Sequence, residues 1–493
     1  MTEEIILFED NNFSIEERFY FFMDLLVSNK SGTRIEQVCF FLIFYIQIIS
    51  VFFDKRIKVF KPEENTSDNI LLYFYKVFRI VGIISNHKTY YVKIIYIIPI
   101  FMLILTLYSI YVFFKTKKNS LYRLLHSLLN LLIKCFIFIF YNIFLDFFTH
   151  LICYKSKYNE YIEGYSCLIK DHKYTFLISL ITTIYIIFAI IFILNFYNDS
   201  FYLSMNYYAQ TCTPYNIYLV LNCFLLSLMF SIINHLTIEF FLFSNLIISI
   251  SFLIYYFKKI IYYDPITNSM CGIFHIIYIW TTIFCIIFKY VEVSEKGLVW
   301  LLTSILISLT FLNYKKYFNN LLLYNKPYYT LSNINHLLFY LKNLVYMINY
   351  DSQYNDFKSI LTGIIQLHLI ECPNKNCIVK KNEQLYLPKT EKWSDRTKPF
   401  ILDDVFLSHF LIDINDYFIS INLFNPELLI NLSYYYLNVI GNICLSIYFL
   451  HKVELMKMSK QELFTLERLK LVISQKLVEK LKKENESCLN LED

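Results

Sequence analysis

The chain has 493 residues, of which 57% are hydrophobic and only 17% charged, with a formal net charge of +5 and a mean hydropathy of +0.45. Soluble domains carry about 25% charged residues, so this much apolar surface excludes an ordinary soluble protein and demands an apolar solvent. The small net charge and the scattered lysines exclude nucleic acid as a partner.

Residue choice adds a packing expectation. Phe (48) and Tyr (44) dominate, Gly is scarce (7), and the alanines are Ala189 and Ala209 alone. Membrane helices that pack closely use Gly and Ala to let backbones approach; here Ile, Leu, Phe and Ser must do the packing at wider spacing. The bias toward Ile, Asn, Lys, Tyr and Phe matches a very AT-rich genome, as in ciliates or some parasites.

Residues 1–34 are acidic and amphipathic. Ser14 and Glu17 form a capping pair, and Phe19, Phe22, Leu25 and Leu26 recur at helical spacing. The segment either lies on the membrane surface or docks on the spans. No cleavable signal peptide is expected, since Met1–Asp10 is acidic.

A spanning helix needs roughly 20 mostly apolar residues. By that rule residues 35–314 hold about eight spans, near Val38–Phe53, Ile94–Phe114, Leu131–Leu151, Phe176–Tyr197, Asn216–Ile233, Phe240–Phe257, Gly272–Phe288 and Leu298–Leu312. From Tyr174 to Phe257 only Asp199 and Glu239 are acidic or basic. Helices satisfy their own backbones in lipid, and the period-2 alternation of a membrane barrel is absent. An even count puts both termini on one side, and the lysine-rich tail after Tyr314 favours the cytosol. The same count leaves the basic loop of Lys55, Arg56, Lys58, Lys61, Lys76, Arg79 and Lys88 outside, against that rule.

Residues 315–493 regain charge and predict a helical, cytosolic domain with helices near 330–349, 353–371, 402–424, 426–453 and 459–485. Asn425-Pro426 is a helix start, and Ser459 with Glu462 is a capping box. Leu463, Leu466, Leu469, Val472, Ile473, Leu477 and Leu481 line one helical face. The uncharged stretch Leu428–Leu450 reads as a packed helix of this domain or as a ninth span.

Candidate sites are few. His368, Cys372 and Cys377 form an H-x3-C-x4-C cluster whose first two members share a helical face, a ligand set for structural zinc; His409 is a candidate fourth ligand. Cys153 and Cys167 flank one loop and are a candidate disulfide if it faces an oxidising compartment, with free thiols as the alternative. Asp146, His275, Asn222 and Asn245 are intramembrane polar candidates, either lining an ion path or bonding helices together, and Lys134 is placed to snorkel from a span end. Phosphate loops, H-E-x-x-H and G-x-S-x-G are all missing, so no catalytic residues are assigned and no cofactor other than zinc is expected.

Residues 361–377 (LTGIIQLHLIECPNKNC), YYYLNVIGNICLSIYFL and SKQELFTLERLKLVISQKLVE within 426–479, and LLYFYKVFRI at 71–80 resemble the TmcB-like multi-pass membrane proteins of ciliates and slime moulds. The resemblance implies spans leading into tetratricopeptide-like cytosolic helices, and a recurring His/Cys patch at His368, Cys372 and Cys377. The chain departs in having Ile378-Val379 where relatives tend to have a further cysteine, and it stops at Asp493 where they continue toward PAS sensor domains. The expectation is an all-α, non-enzymatic sensing or scaffolding protein whose C-terminal helices bind a protein partner. A transporter or channel subunit is the alternative.

Overall fold

The computed structural model describes residues 34–53, 88–114, 120–152, 172–197, 215–231, 237–258, 261–291, 295–324 and 425–489. It also describes shorter stretches at 15, 18–20, 22–23, 54, 57, 59–60, 70–71, 201, 209, 329, 331, 336, 340, 367–372, 377, 380, 413–414, 416–417 and 420. Among these residues all regular structure is helical, as the composition requires.

Helix α1 is Arg34–Ser50, ending in a 3-10 turn at Val51–Phe53. Then follow α2 (Lys88–Phe114), α3 (Ser120–Cys135), a π turn at Phe136–Phe140 and α4 (Tyr141–Ile152). The series continues with α5 (His172–Tyr197), α6 (Tyr215–Ser231), α7 (Ile238–Lys258), α8 (Pro265–Phe288) and α9 (Lys296–Tyr324). Among the described residues six segments are long and apolar enough to cross a membrane: Ile95–Phe114, Leu124–Thr149, Phe176–Leu194, Ile238–Lys258, Ile266–Phe288 and Lys296–Lys315. Val38–Phe53 and Tyr215–Ser231 are shorter apolar helices. The six long helices and the two short ones together occupy the positions of the eight spans expected. The side chains of Leu103, Ile104, Leu107, Phe188, Ile247 and Leu306 are exposed on the outer faces. Such a surface is stable only against lipid.

The third span begins at Leu124, not Leu131, because α3 is amphipathic and turns His126 and Asn130 inward. The seventh begins at Ile266, not Gly272. There the Asp264 carboxylate accepts from the Thr267 backbone N–H at 2.8 Å, and Pro265 occupies the first helical turn.

Polar side chains stitch the apolar helices. Helix α1 packs on the π turn, α4 and α8. A π turn frees a carbonyl from the helical ladder, and here Gln47 of α1 supplies its donor: Nε2 reaches the Ile139 carbonyl at 2.7 Å, while Oε1 accepts from Asn142 at 3.3 Å. Helices α8 and α9 exchange two bonds, Trp280 to Thr303 and Trp300 to Thr281, each 3.1 Å. Lys134 pairs with Glu36 of α1 at 3.1 Å, which relieves the cost of a charge beside lipid. At Gly272 neighbouring helices approach closely, and Tyr256 and Phe311 press against the α8 backbone.

Of the N-terminal segment, described residues 18–20 and 22–23 are helical, and Phe22 lies edge-on to Phe113 and His126. At these positions the segment docks on the bundle. Ser14 and Glu17 lie outside the described residues.

The stretch 426–453 is not one helix. It comprises α10 (Pro426–Tyr435), a π turn (Tyr436–Ile440) and α11 (Ile443–Glu454). Gly441 sits between them with φ +72°, the left-handed conformation that ends a helix, and the Asn442 N–H bonds back to the Tyr436 carbonyl at 2.8 Å. Asn442 then caps α11 through the Leu445 N–H. The two arms fold on each other: Ser433 and Ser446 exchange hydroxyl-to-carbonyl bonds of 2.8 Å, and Tyr436 stacks on Phe449.

Helix α12 (Lys460–Leu489) starts at the expected capping box, with the Ser459 N–H on Glu462 at 2.7 Å and the Glu462 N–H on Ser459 Oγ at 3.2 Å. Its buried face is shifted from expectation. Leu463 and Leu477 are exposed, whereas Phe464 and Arg468 are buried with Leu466, Leu469 and Ile473. Ser459→Ala removes the Oγ acceptor and is expected to cost about 1 kcal/mol, read as faster amide exchange in the first turn of α12. Unchanged exchange there would rule out a capping role.

These C-terminal helices meet the bundle. Tyr434 stacks on Phe201 at 4.2 Å, the Tyr263 hydroxyl donates to Glu427 at 3.3 Å, the Arg468 guanidinium lies over Phe201, and Phe464 packs on Phe19 and Tyr20. Phe201 follows the C-terminal end of α5 and Tyr263 that of α7, so both connections lie at the end of the bundle that carries α10–α12.

Candidate functional site

Two clusters gather chemically capable side chains. The first lies outside the bundle. Residues 367–371 are helical, and the Cys372 N–H bonds to the His368 carbonyl at 2.9 Å, so the i, i+4 pair shares one face as the spacing predicts. Cys377 comes back onto this face with its Sγ 3.2 Å from His368 Nε2. Asp413, from a helical segment further on, places Oδ2 3.3 Å from Cys377 Sγ and 3.4 Å from His368 Nε2. The four ligand atoms lie within 4.8 Å of one another, and all four residues are buried.

Tyrosines brace the surrounding framework. The Tyr329 hydroxyl donates to Glu371 at 2.9 Å, and the Tyr417 hydroxyl donates to the Tyr329 carbonyl at 2.6 Å, tying the helical turn of His368 to that of Asp413. Lys380 donates to the Cys372 carbonyl at 2.8 Å. Burial holds the His368 imidazole down to about 4, against the pull of Asp413, so it is a neutral ring at pH 7. Burial, reinforced by Asp413, pushes the Cys377 thiol up to about 12 when no cation is present.

A Cys-His-Asp trio invites comparison with a nucleophilic triad, and the geometry rejects it. A triad needs the carboxylate on the imidazole nitrogen opposite the nucleophile, whereas Asp413 and Cys377 both approach Nε2. The thiol is also buried and raised rather than exposed and activated. The arrangement is a convergent set of metal-ligand atoms. His409, the candidate fourth ligand named from the sequence, lies outside the described residues. Among the described residues the fourth member of the cluster is Asp413, four residues further along the chain.

The second cluster lies within the bundle. His275 Nε2 is 2.8 Å from the Tyr215 hydroxyl, which is 3.0 Å from that of Tyr45 and 3.3 Å from Cys271 Sγ. These groups come from α1, α6 and α8, and Phe252 stacks on the imidazole. Asn245 bonds across helices, accepting from Tyr278 at 2.9 Å and donating to its own helix at Phe241. Asp146 is fully buried on α4, where Thr149, bonded to the Asp146 carbonyl, also receives the Ser231 hydroxyl. Asn222 is buried on α6.

His275 and Asp146 are not brought together: His275 lies at the Tyr215 end of α6 and Asp146 toward the Ser231 end, so a stretch of that helix separates them. A cavity of about 30 Å³ beside α1 is lined mainly by Phe41, Phe44, Ile137, Ile190 and Leu219, and neither Asp146 nor His275 reaches it. Cys153 and Cys167 lie outside the described residues.

Comparison with protein-family models, with curated proteins and with solved structures finds no match.

Proposed function

We propose that the chain is a non-enzymatic, multi-pass membrane protein of sensing or scaffolding type. Its bundle crosses the bilayer eight times, counting the short helices α1 and α6, and carries a cytosolic helical domain that binds a protein partner. The observation that supports this most is the seating of α10–α12 on one end of the bundle through Phe201, Tyr263, Phe19 and Tyr20. With eight alternating crossings, the ends of α5, α7 and α9 and the N-terminal segment share one side, which agrees with those four contacts. The helical hairpin and α12 are compatible with the tetratricopeptide-like helices that the TmcB-like resemblance implies. The interhelical bonds of Gln47, Asn245, Trp280 and Trp300 act as glue in this reading, and the separation of Asp146 from His275 weighs against a transporter or channel.

Tag accessibility at Met1, within 54–90 and at Asp493 tests the arrangement. Both termini are expected on the cytosolic side with the basic loop opposite; a C-terminus on the far side overturns it. Solute or ion flux through proteoliposomes above the empty control would replace scaffolding with transport.

A further inference from the structure

We propose that His368, Cys372, Cys377 and Asp413 bind one zinc ion, which pins the segment bearing Asp413 to the helical turn bearing His368. This goes beyond the scaffolding reading and does not depend on it.

The distances carry the argument. With bonds of about 2.3 Å to sulfur and about 2.0 Å to nitrogen or oxygen, a tetrahedral zinc site has edges of about 3.5 Å for N–S and S–O and about 3.3 Å for N–O. The corresponding separations are 3.2 Å, 3.3 Å and 3.4 Å. These three edges match within a few tenths of an ångström, and Cys372, within 4.8 Å of the other ligand atoms, supplies the fourth corner with a shift of about 1 Å.

Donor chemistry selects the metal class. Two thiolates and an imidazole disfavour magnesium and calcium, which take oxygen ligands, and match zinc. All four corners come from the chain and all four side chains are buried, so no position stays open for water. That is the pattern of a structural site and not a catalytic one. Two thiolates, one carboxylate and a dication leave a net charge of −1, and Lys380 places its ammonium beside Cys372 to offset it.

Topology supplies the reason for a staple. Asp413 lies 36 residues beyond Cys377, and closing a loop of that length costs entropy. Metal binding that requires the closed loop contributes its affinity directly to folding.

The experiment uses the full-length chain, purified in detergent from zinc-supplemented cells and passed through gel filtration, with transition metals measured by mass spectrometry. About one zinc per chain is expected, as for a four-ligand site, and Cys377→Ser and Cys372→Ser should each lose it. Asp413→Asn should retain the protein but weaken zinc roughly ten-fold or more in chelator competition. Exchange into cobalt should give the visible bands and sulfur charge transfer of a tetrahedral thiolate site. This readout needs no variant, so it stands even if a cysteine variant aggregates. A monodisperse chain without zinc, a different metal at one per chain, zinc retained in Cys377→Ser, or octahedral cobalt bands would each overturn the proposal.

Discussion

Gly272→Ala is expected to destabilise the bundle by about 2–4 kcal/mol, combining about 1–3 for overpacking with about 1 for a lost hydrogen bond. An added Cβ would stand 2.5 Å from Phe311 Cζ and 2.6 Å from the Tyr256 hydroxyl. Neither neighbour yields easily. Tyr256 is buried, donates to the Asn268 carbonyl at 2.9 Å and carries Lys315 over its ring, while Phe311 is wedged between Tyr256 and Phe257. Moving Tyr256 therefore breaks its bond to Asn268 as well as its packing. A thiol-reactive dye in detergent reads the change, because the buried Cys223, Cys271 and Cys285 react only on unfolding. The midpoint should fall by several degrees, and Phe311→Leu in the same chain should recover part of it. A midpoint unchanged from the parent would show that the three helices do not meet at this glycine.

The second large effect is expected at Gln47. Gln47→Leu keeps the apolar volume but strands the Ile139 carbonyl and the Asn142 amide, both served by the glutamine. Interhelical side-chain bonds in membranes average only about 0.6 kcal/mol, since the separated helices find other partners. Buried groups left unsatisfied cost about 1–3 kcal/mol. The second figure governs here, because the Ile139 carbonyl is fixed by the π turn and cannot move to another donor. Loss of about 1–3 kcal/mol is expected, with α1 loosening first, so that amide exchange relative to the parent speeds up more in α1 than in α8. Equal change in the two helices and an unshifted midpoint would mean that the π turn does not need its partner.

How far the sequence reveals this architecture depends on the range of the interaction. The apolar helices were legible because lipid imposes about 20 apolar residues locally. Their boundaries were less so: α3 begins with an amphipathic turn carrying His126 and Asn130 inward, and α8 begins with the polar Thr267 and Asn268. Both depress local hydropathy although their polar groups are buried. The caps at Asn425 and Ser459 were readable because each acts within three residues. Gly441-Asn442 carried a stop and a restart, but the apolar run across it masked both signals. On α12 the expected stripe omitted Phe464 and Arg468, which are buried by Phe201 and Tyr20, partners that no periodicity names. His368, Cys372 and Cys377 could be grouped by spacing, but Asp413 joins them only through tertiary folding.

The left-handed residue at Gly441 also governs reach. Without it, Pro426–Glu454 would be one uncharged-centred rod longer than the roughly 30 Å hydrocarbon layer. With it, the ten-residue α10 and its five-residue π turn extend about 22 Å, and the twelve-residue α11 about 18 Å. Neither arm is long enough to traverse a bilayer, and the Ser433–Ser446 clasp spends on its twin arm the polar groups that lipid would leave unanswered. One backbone angle thus halves the length of the most membrane-like stretch in the C-terminal third of the chain.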